Sequence, residues 1–215
     1  MKYPVTSKIV KSKTLTSYLN DNNIALFDMD GSLFGYDEAM LKSLSAMRAP
    51  CEPKIPSNLH DLERAAHYHA RMEAIKSVPG WWKNLEPIKN GFKIFNLAYK
   101  LGFNCQILTK GPRTKSIAWS EKLECCQEYF GEDILVHVVS DKGGFYGKVL
   151  FDDYPEYMSK WLKYRPRGLG IMPVNKNNKK FKHPNVIMWD GTNYKQVQNA
   201  LKYVLKRQSG ESLKI

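Results

Sequence analysis

The sequence predicts an α/β fold: a doubly wound parallel sheet with a small helical cap inserted after the first strand. Three observations carry that prediction. Short apolar runs alternate with helical stretches along most of the 215 residues, as strands joined by crossover helices do. The runs stop abruptly at polar residues: Asp28 after Ile24–Phe27, Thr109 after Phe103–Leu108 and Asp152 after Val149–Phe151. Between the first two runs lies a helical piece longer than a crossover needs. It is read as a cap over residues 37–86, which leaves 1–36 and 87–215 as the core domain.

Residues 1–23 read as a lead-in. Met1 to Lys13 is polar and dotted with lysines, without the apolar stretch of a secretory signal. The first strand spans 24–28, and Ser32–Tyr36 makes a small, aromatic-rich turn. Helical spacing then takes over, with Leu41, Leu44 and Met47 on one helix and Leu62, Ala65, His69, Met72 and Ile75 on another, bent at 49–58. His67 and His69, two apart on a helix, face different ways, so they read as surface or core residues and not as metal ligands. Pro79-Gly80 breaks that helix before Trp81-Trp82, a pair that serves either as packing or as a stacking wall.

A helix from Pro87 through Ile88, Phe92, Phe95 and Tyr99 stops at Gly102. The second strand is Phe103–Thr109, leading into Lys110-Gly111-Pro112. Trp119, Leu123, Cys126 and Phe130 mark the apolar side of the next helix, which Gly131 ends. Ile134–Val139 is the third strand, with Asp141-Lys142-Gly143-Gly144 close behind, and Val149–Phe151 is the fourth. Pro155 opens a helix bearing Tyr157, Met158, Trp161 and Leu162. Gly168–Met172 and Val186–Met188 are the last strands, separated by a Lys/Asn-rich loop at 175–182. The final helix carries Tyr194, Val197, Leu201 and Val204, and the tail after Lys206 is read as frayed.

A hydrophobic fraction of 43% with 12% aromatics supports a well-buried core, and no window reaches the roughly 18 unbroken apolar residues of a membrane span. A soluble, cytoplasmic protein without membrane contact is the expectation. Cys51, Cys105, Cys125 and Cys126 fit no zinc or disulfide spacing and read as structural. The net charge of +12 draws in anions, whether phosphorylated metabolites or nucleic acid. Tyr157 to Trp189 contains Lys160, Lys163, Arg165, Arg167, Lys176, Lys179, Lys180 and Lys182 and no acidic residue. A solvated basic face explains that run equally well.

Asp28 and Asp30 lie two apart, so in an ideal strand they share a face. Two carboxylates that close repel unless a cation sits between them or one keeps a proton, which points to a divalent metal and acid/base chemistry. The competing explanation is a strand that ends in an ordinary polar turn. Thr109, at a strand end beside amides that enter a helix, suits a phosphate. The remaining strand ends add Lys142 and Asp152-Asp153, and such ends line one edge of a doubly wound sheet. It is the ordered set that outweighs the plain-turn explanation.

This order resembles the haloacid dehalogenase-like superfamily of aspartate-nucleophile phosphohydrolases. Asp28-Met29-Asp30-Gly31, Leu85-Glu86-Pro87-Ile88, Asp141-Lys142 ten positions before the acidic pair, and Met188-Trp189-Asp190 look like its 5′(3′)-deoxyribonucleotidase family. The resemblance implies a Mg²⁺-dependent phosphatase of nucleoside monophosphates. Asp28 would attack phosphorus. Asp30 would protonate the leaving oxygen and later take a proton from water. Asp28, the Asp30 carbonyl and Asp153 would hold Mg²⁺. Thr109, Lys110 and Lys142 would bind phosphate, Asp152 would orient Lys142 or support the metal, and Tyr36 and Trp82 would flank the base. Two positions depart from the family: Lys110 stands where a Ser is usual, and Ser140 where an Arg is. Lys148 rivals Lys142, but Lys142 has the matching spacing and a Gly-rich loop. Two alternatives accompany this reading, namely action on phosphorylated nucleic-acid ends and a non-catalytic nucleic-acid-binding protein on the same fold. Preferred base and sugar, phosphate position and oligomeric state stay open.

Overall fold

The computed structural model describes residues 22–62, 65–207, 211 and 213. The expected lead-in up to residue 21, the segment judged for a signal and most of the tail after Lys206 lie outside the described residues. Six strands form one sheet: β1 (Ile24–Phe27), β2 (Asn104–Lys110), β3 (Val136–Val139), β4 (Val149–Phe151), β5 (Leu169–Pro173) and β6 (Val186–Trp189), in the order β3-β2-β1-β4-β5-β6. Every pairing is parallel, as the doubly wound expectation required. The helices are α1 (Tyr36–Ala46), α2 (Leu59–Leu62), α3 (Ala66–Ile75), α4 (Lys89–Lys100), α5 (Ser116–Phe130), α6 (Pro155–Tyr164) and α7 (Tyr194–Lys206). No described helix is long and apolar enough to cross a membrane.

Strand alternation divides the core. Ala25, Phe27, Ile107, Val149 and Phe151 join the larger cluster with residues of α4, α5 and α7, while Leu26, Leu108 and Leu150 turn to the other face and meet Met158, Trp161 and Leu162 of α6. With both faces covered, the strands read as unbroken apolar runs. Cys105, Cys125 and Cys126 are buried and Cys51 is exposed, all free thiols.

Helices α1, α2 and α3 bury Met40, Leu44, Leu59, Leu62, Met72 and Ile75 in a third, separate cluster. The chain enters and leaves this helical group side by side: Gly35 N–H donates to the Glu86 carbonyl at 2.8 Å and Ile88 N–H to that of Leu33 at 2.7 Å. The single helix expected across Leu62 to Ile75 is two, because Ala65 is extended (φ −92°, ψ 120°) ahead of α3.

Helix α5 departs further from its expected face. Leu123 is 39% exposed, whereas Ala118, Glu121, Lys122, Cys125 and Cys126 are buried. The two charged residues turn inward because each finds a partner there, as described below.

Helix α4 packs directly on the loop after β1. A Cβ on Gly91 would lie 2.0 Å from the Ser32 carbonyl oxygen, a backbone atom that cannot rotate away. Gly91→Ala would otherwise help an α-helix by about 1 kcal/mol; here it is expected to destabilise by about 1–3 kcal/mol. The midpoint of urea unfolding checks this, and an unchanged or raised midpoint contradicts the close contact.

Candidate active site

The strand order reverses between β1 and β4: β2 and β3 continue to one side, β5 and β6 to the other. Ligands of open α/β sheets bind in the crevice at such a point, beyond the carboxyl ends of the strands. Asp28 follows β1 there, Asp152 and Asp153 follow β4, and Asp28 N–H donates to the Phe151 carbonyl at 2.8 Å. The Lys142 ammonium lies between the two strand ends, 2.5 Å from Asp28 Oδ1 and 2.7 Å from Asp152 Oδ2. All three groups are buried. Lys142 reaches them from a single 3₁₀ turn, Lys142–Gly144, which Asp141 caps by accepting the Gly143 N–H at 2.9 Å. Asp152 Oδ1 accepts the Tyr154 N–H at 2.9 Å. Lys148, the rival lysine, donates instead to Asn23 at 2.7 Å, beside the start of β1 and away from the strand ends.

Asp153 packs against Gly31, whose φ of +75° turns the chain out of β1; a Cβ there would come within 2.7 Å of Asp153 Oδ2. Two asparagines of the 175–182 loop fix the aspartate: Asn175 donates to Oδ2 and Asn178 to the carbonyl, each at 2.9 Å. Ser32 Oγ accepts the Asp153 N–H at 3.1 Å. Side-chain oxygens of Asp28, Asp152 and Asp153 all lie within 4.8 Å of one another.

Three carboxylates share one ammonium here. Burial, reinforced by Asp28 and Asp152 against the pull of Lys142, holds Asp153 well above the ordinary carboxylate range. Burial likewise pushes Asp152 up to about 6 against Lys142. Burial opposes the Lys142 charge, but Asp152 and Asp28 outweigh it and raise its pKa above the usual lysine value. A set of oxygen donors with excess negative charge suits a hard divalent cation.

Asp30 does not share the surroundings of Asp28. β1 ends at Phe27 and Gly31 turns the chain, so Asp30 Oδ2 pairs with the Lys122 ammonium from α5. That lysine is wholly buried, donates to Thr109 Oγ1 at 3.0 Å and stands 4.7 Å from the centre of the Trp82 ring. Asp30 Oδ1 is buried with no partner among the described residues. Burial raises the Asp30 pKa, Lys122 pulls it down, and Asp28 adds to the rise. Sequence reasoning missed Lys122. Its signal was available, because Lys122 falls four after Ala118 and four before Cys126, on the small-residue face of α5.

A cleft of about 530 Å³ opens over these groups, with Asp28, Asp30, Lys142 and Asp153 on its floor and Lys110, Tyr36 and Trp82 among its walls. Lys110 is exposed and donates to the Tyr157 hydroxyl at 2.7 Å. Thr109 is fully buried beneath Lys122. Tyr36 and Trp82 stack on one another, with centroids 5.6 Å apart at 24°. The Trp82 indole donates to the Lys76 carbonyl and the residue is 2% exposed, so Tyr36 has more ring surface to offer. Ser140 is exposed, His67 and His69 are exposed on α3, and Asp190 caps its own turn by accepting from Thr192 and Asn193.

No known protein family matches the chain by sequence, and no curated protein does. Among solved structures it is similar to a HAD family hydrolase from Deinococcus radiodurans with bound phosphate and sodium, at a TM-score of 0.54 and 10% identity, over 87% of this chain and 99% of that one. It also matches a haloacid dehalogenase-like hydrolase from Burkholderia xenovorans at a TM-score of 0.47 and 12% identity, over 88% and 100% of the two chains. The first of these likenesses is one of fold: this chain shares its parallel α/β architecture with that hydrolase.

The crowding of Asp153 has a consequence for stability. Its raised pKa means the folded chain binds that proton more tightly than the unfolded chain, so its contribution is most favourable below a pH of about 4 and declines as pH climbs through the raised value. In chelator, the melting temperature of the wild type relative to Asp153→Asn is expected to fall as pH rises from about 4 to about 7. Parallel curves for the two proteins contradict it.

Proposed function

We propose that this chain is a phosphatase that hydrolyses (deoxy)nucleoside monophosphates through an aspartyl-phosphate on Asp28, a member of the haloacid dehalogenase-like superfamily close to the 5′(3′)-deoxyribonucleotidases. The observation that carries the reading is the cluster in which Lys142 bridges Asp28 and Asp152 with Asp153 alongside. The phosphate in the Deinococcus radiodurans fold neighbour agrees with it.

In this reading Asp28 attacks phosphorus while the bond to the nucleoside oxygen breaks, and Asp30 gives that oxygen a proton. Water then attacks the aspartyl-phosphate, Asp30 takes back a proton, and orthophosphate leaves Asp28 free. Lys142 holds Asp28 in place and stabilises negative charge on the transferring group. Asp152 orients Lys142. Lys110, on the cleft wall, is better placed for phosphate than Thr109. Asp28, Asp153 and the Asp30 carbonyl would hold Mg²⁺, which when bound screens the repulsion between a carboxylate nucleophile and an anionic phosphate. The unbalanced negative charge of the carboxylate cluster fits such an ion. Tyr36, stacked on Trp82, gives the cleft a flat wall suited to a base.

A second reading, action on a phosphorylated nucleic-acid end, draws on the loop that lines the cleft with Asn175 and Asn177. The same loop continues into exposed Lys179, Lys180 and Lys182.

Phosphate release from ribo- and deoxynucleoside monophosphates, with and without Mg²⁺, tests the first reading. Asp28→Asn is expected to lose at least about a thousandfold in kcat and to keep a cooperative melt, whereas an active Asp28→Asn refutes the mechanism. If an end-phosphorylated oligonucleotide is preferred, with binding that weakens steeply in salt, the second reading replaces the first.

A further inference from the structure

Helix α5 buries two neighbouring charged residues, and both bond to residues that border the cleft. Glu121 accepts the N–H groups of Gly80 and Trp82, at 2.5 and 3.1 Å, from the segment that leads back from the cap. Lys122 spans from the Trp82 ring to Thr109 and Asp30. Withdrawing an ammonium completely from water costs several kcal/mol unless it is paired. Asp28 already has its own lysine in Lys142, and Lys122 is not among the residues that line the cleft. Its place is behind Asp30.

A carboxylate has two chemically equivalent oxygens and can present either one. Here they differ: Oδ2 is engaged by Lys122, and Oδ1 is buried with no partner among the described residues. We infer that Lys122 is a positioning residue that clamps Asp30 through Oδ2 and so sets the orientation in which that carboxyl moves protons. The inference rests on the phosphatase reading above. In the first step the Asp28–phosphorus bond forms, the bond to the leaving oxygen breaks, and the proton on the Asp30 carboxyl goes to that oxygen. In the second, a water oxygen bonds to phosphorus, the Asp28–phosphorus bond breaks, and the water proton returns to the Asp30 carboxyl.

Leaving-group dependence separates this role from plain structural support. A nitrophenolate leaves without a proton, whereas a nucleoside alkoxide needs one. kcat/KM for wild type, Lys122→Met, Asp30→Asn and the double variant should be measured on p-nitrophenyl phosphate and on a deoxynucleoside 5′-monophosphate. Lys122→Met is expected to lower the nucleotide value about ten- to a hundredfold more than the aryl value. In the Asp30→Asn background the same substitution should add less than about threefold, because partners in one network are not additive. Lys122→Gln, which keeps a donor for Oδ2, should restore part of the lost selectivity. The double variant strands no charge and folds even if Lys122→Met alone is too unstable. Equal losses on both esters, or a full additional loss in the double variant, overturn the positioning role. A wild type that cleaves neither ester overturns the phosphatase reading itself and this role with it.

Discussion

Between β1 and β4 a single ammonium, that of Lys142, joins two buried carboxylates that the sheet brings together from residues 28 and 152. Neither acid could stay charged there alone, since removing one partner of a buried pair typically costs about 3–5 kcal/mol. The surrounding structure serves this contact. Gly143 and Asp141 shape the turn that carries the lysine, and that turn packs on α6. The adjacent strand register places Asp28 beside Phe151, and Tyr154 N–H fixes the far oxygen of Asp152. Among the described residues no ammonium pairs directly with Asp153, which makes the cluster receptive to a cation.

A second buried lysine works on the other side of the β1 loop. Lys142 comes from the face that α6 covers, whereas Lys122 comes from α5 among the residues of the larger core cluster. Because Gly31 turns the chain between them, Asp28 and Asp30 receive separate cations and separate surroundings. Two acids two residues apart can therefore hold distinct chemical duties in the proposed reaction, one as nucleophile and one as proton carrier. The segment that returns from helices α1–α3 is tied to the same helix through Glu121, so α5 links that return to Asp30, the proton carrier of the proposed reaction.

Much of this was legible in the sequence, for a physical reason. Parallel strands are buried on both faces, so each reads as an apolar run, and its end is marked where polarity resumes. That located the ends of β1 and β4 at Asp28 and Asp152, whereas β2 runs on through Thr109 to Lys110; the Gly-rich turn singled out Lys142 over Lys148. Side-chain direction beyond a strand end was less legible. The shared face expected for Asp28 and Asp30 assumed that β1 continues, yet it stops at Phe27. Helix faces failed where charge is buried: apolar spacing sends Glu121 and Lys122 outward and Leu123 inward, and only a partner 92 residues away reverses that for Lys122. Asn175 and Asn178 sat in a loop that read as Lys/Asn-rich with no role at the site, although they secure Asp153.

The most direct test of the central claim is to trap the intermediate. A reaction with excess phosphate monoester and Mg²⁺, quenched in acid and digested, should yield the peptide containing Asp28 heavier by one phosphoryl group, with fragmentation placing that mass on Asp28. A phosphoryl group on another residue, or turnover with no labelled peptide under conditions that preserve acyl phosphates, would contradict the account.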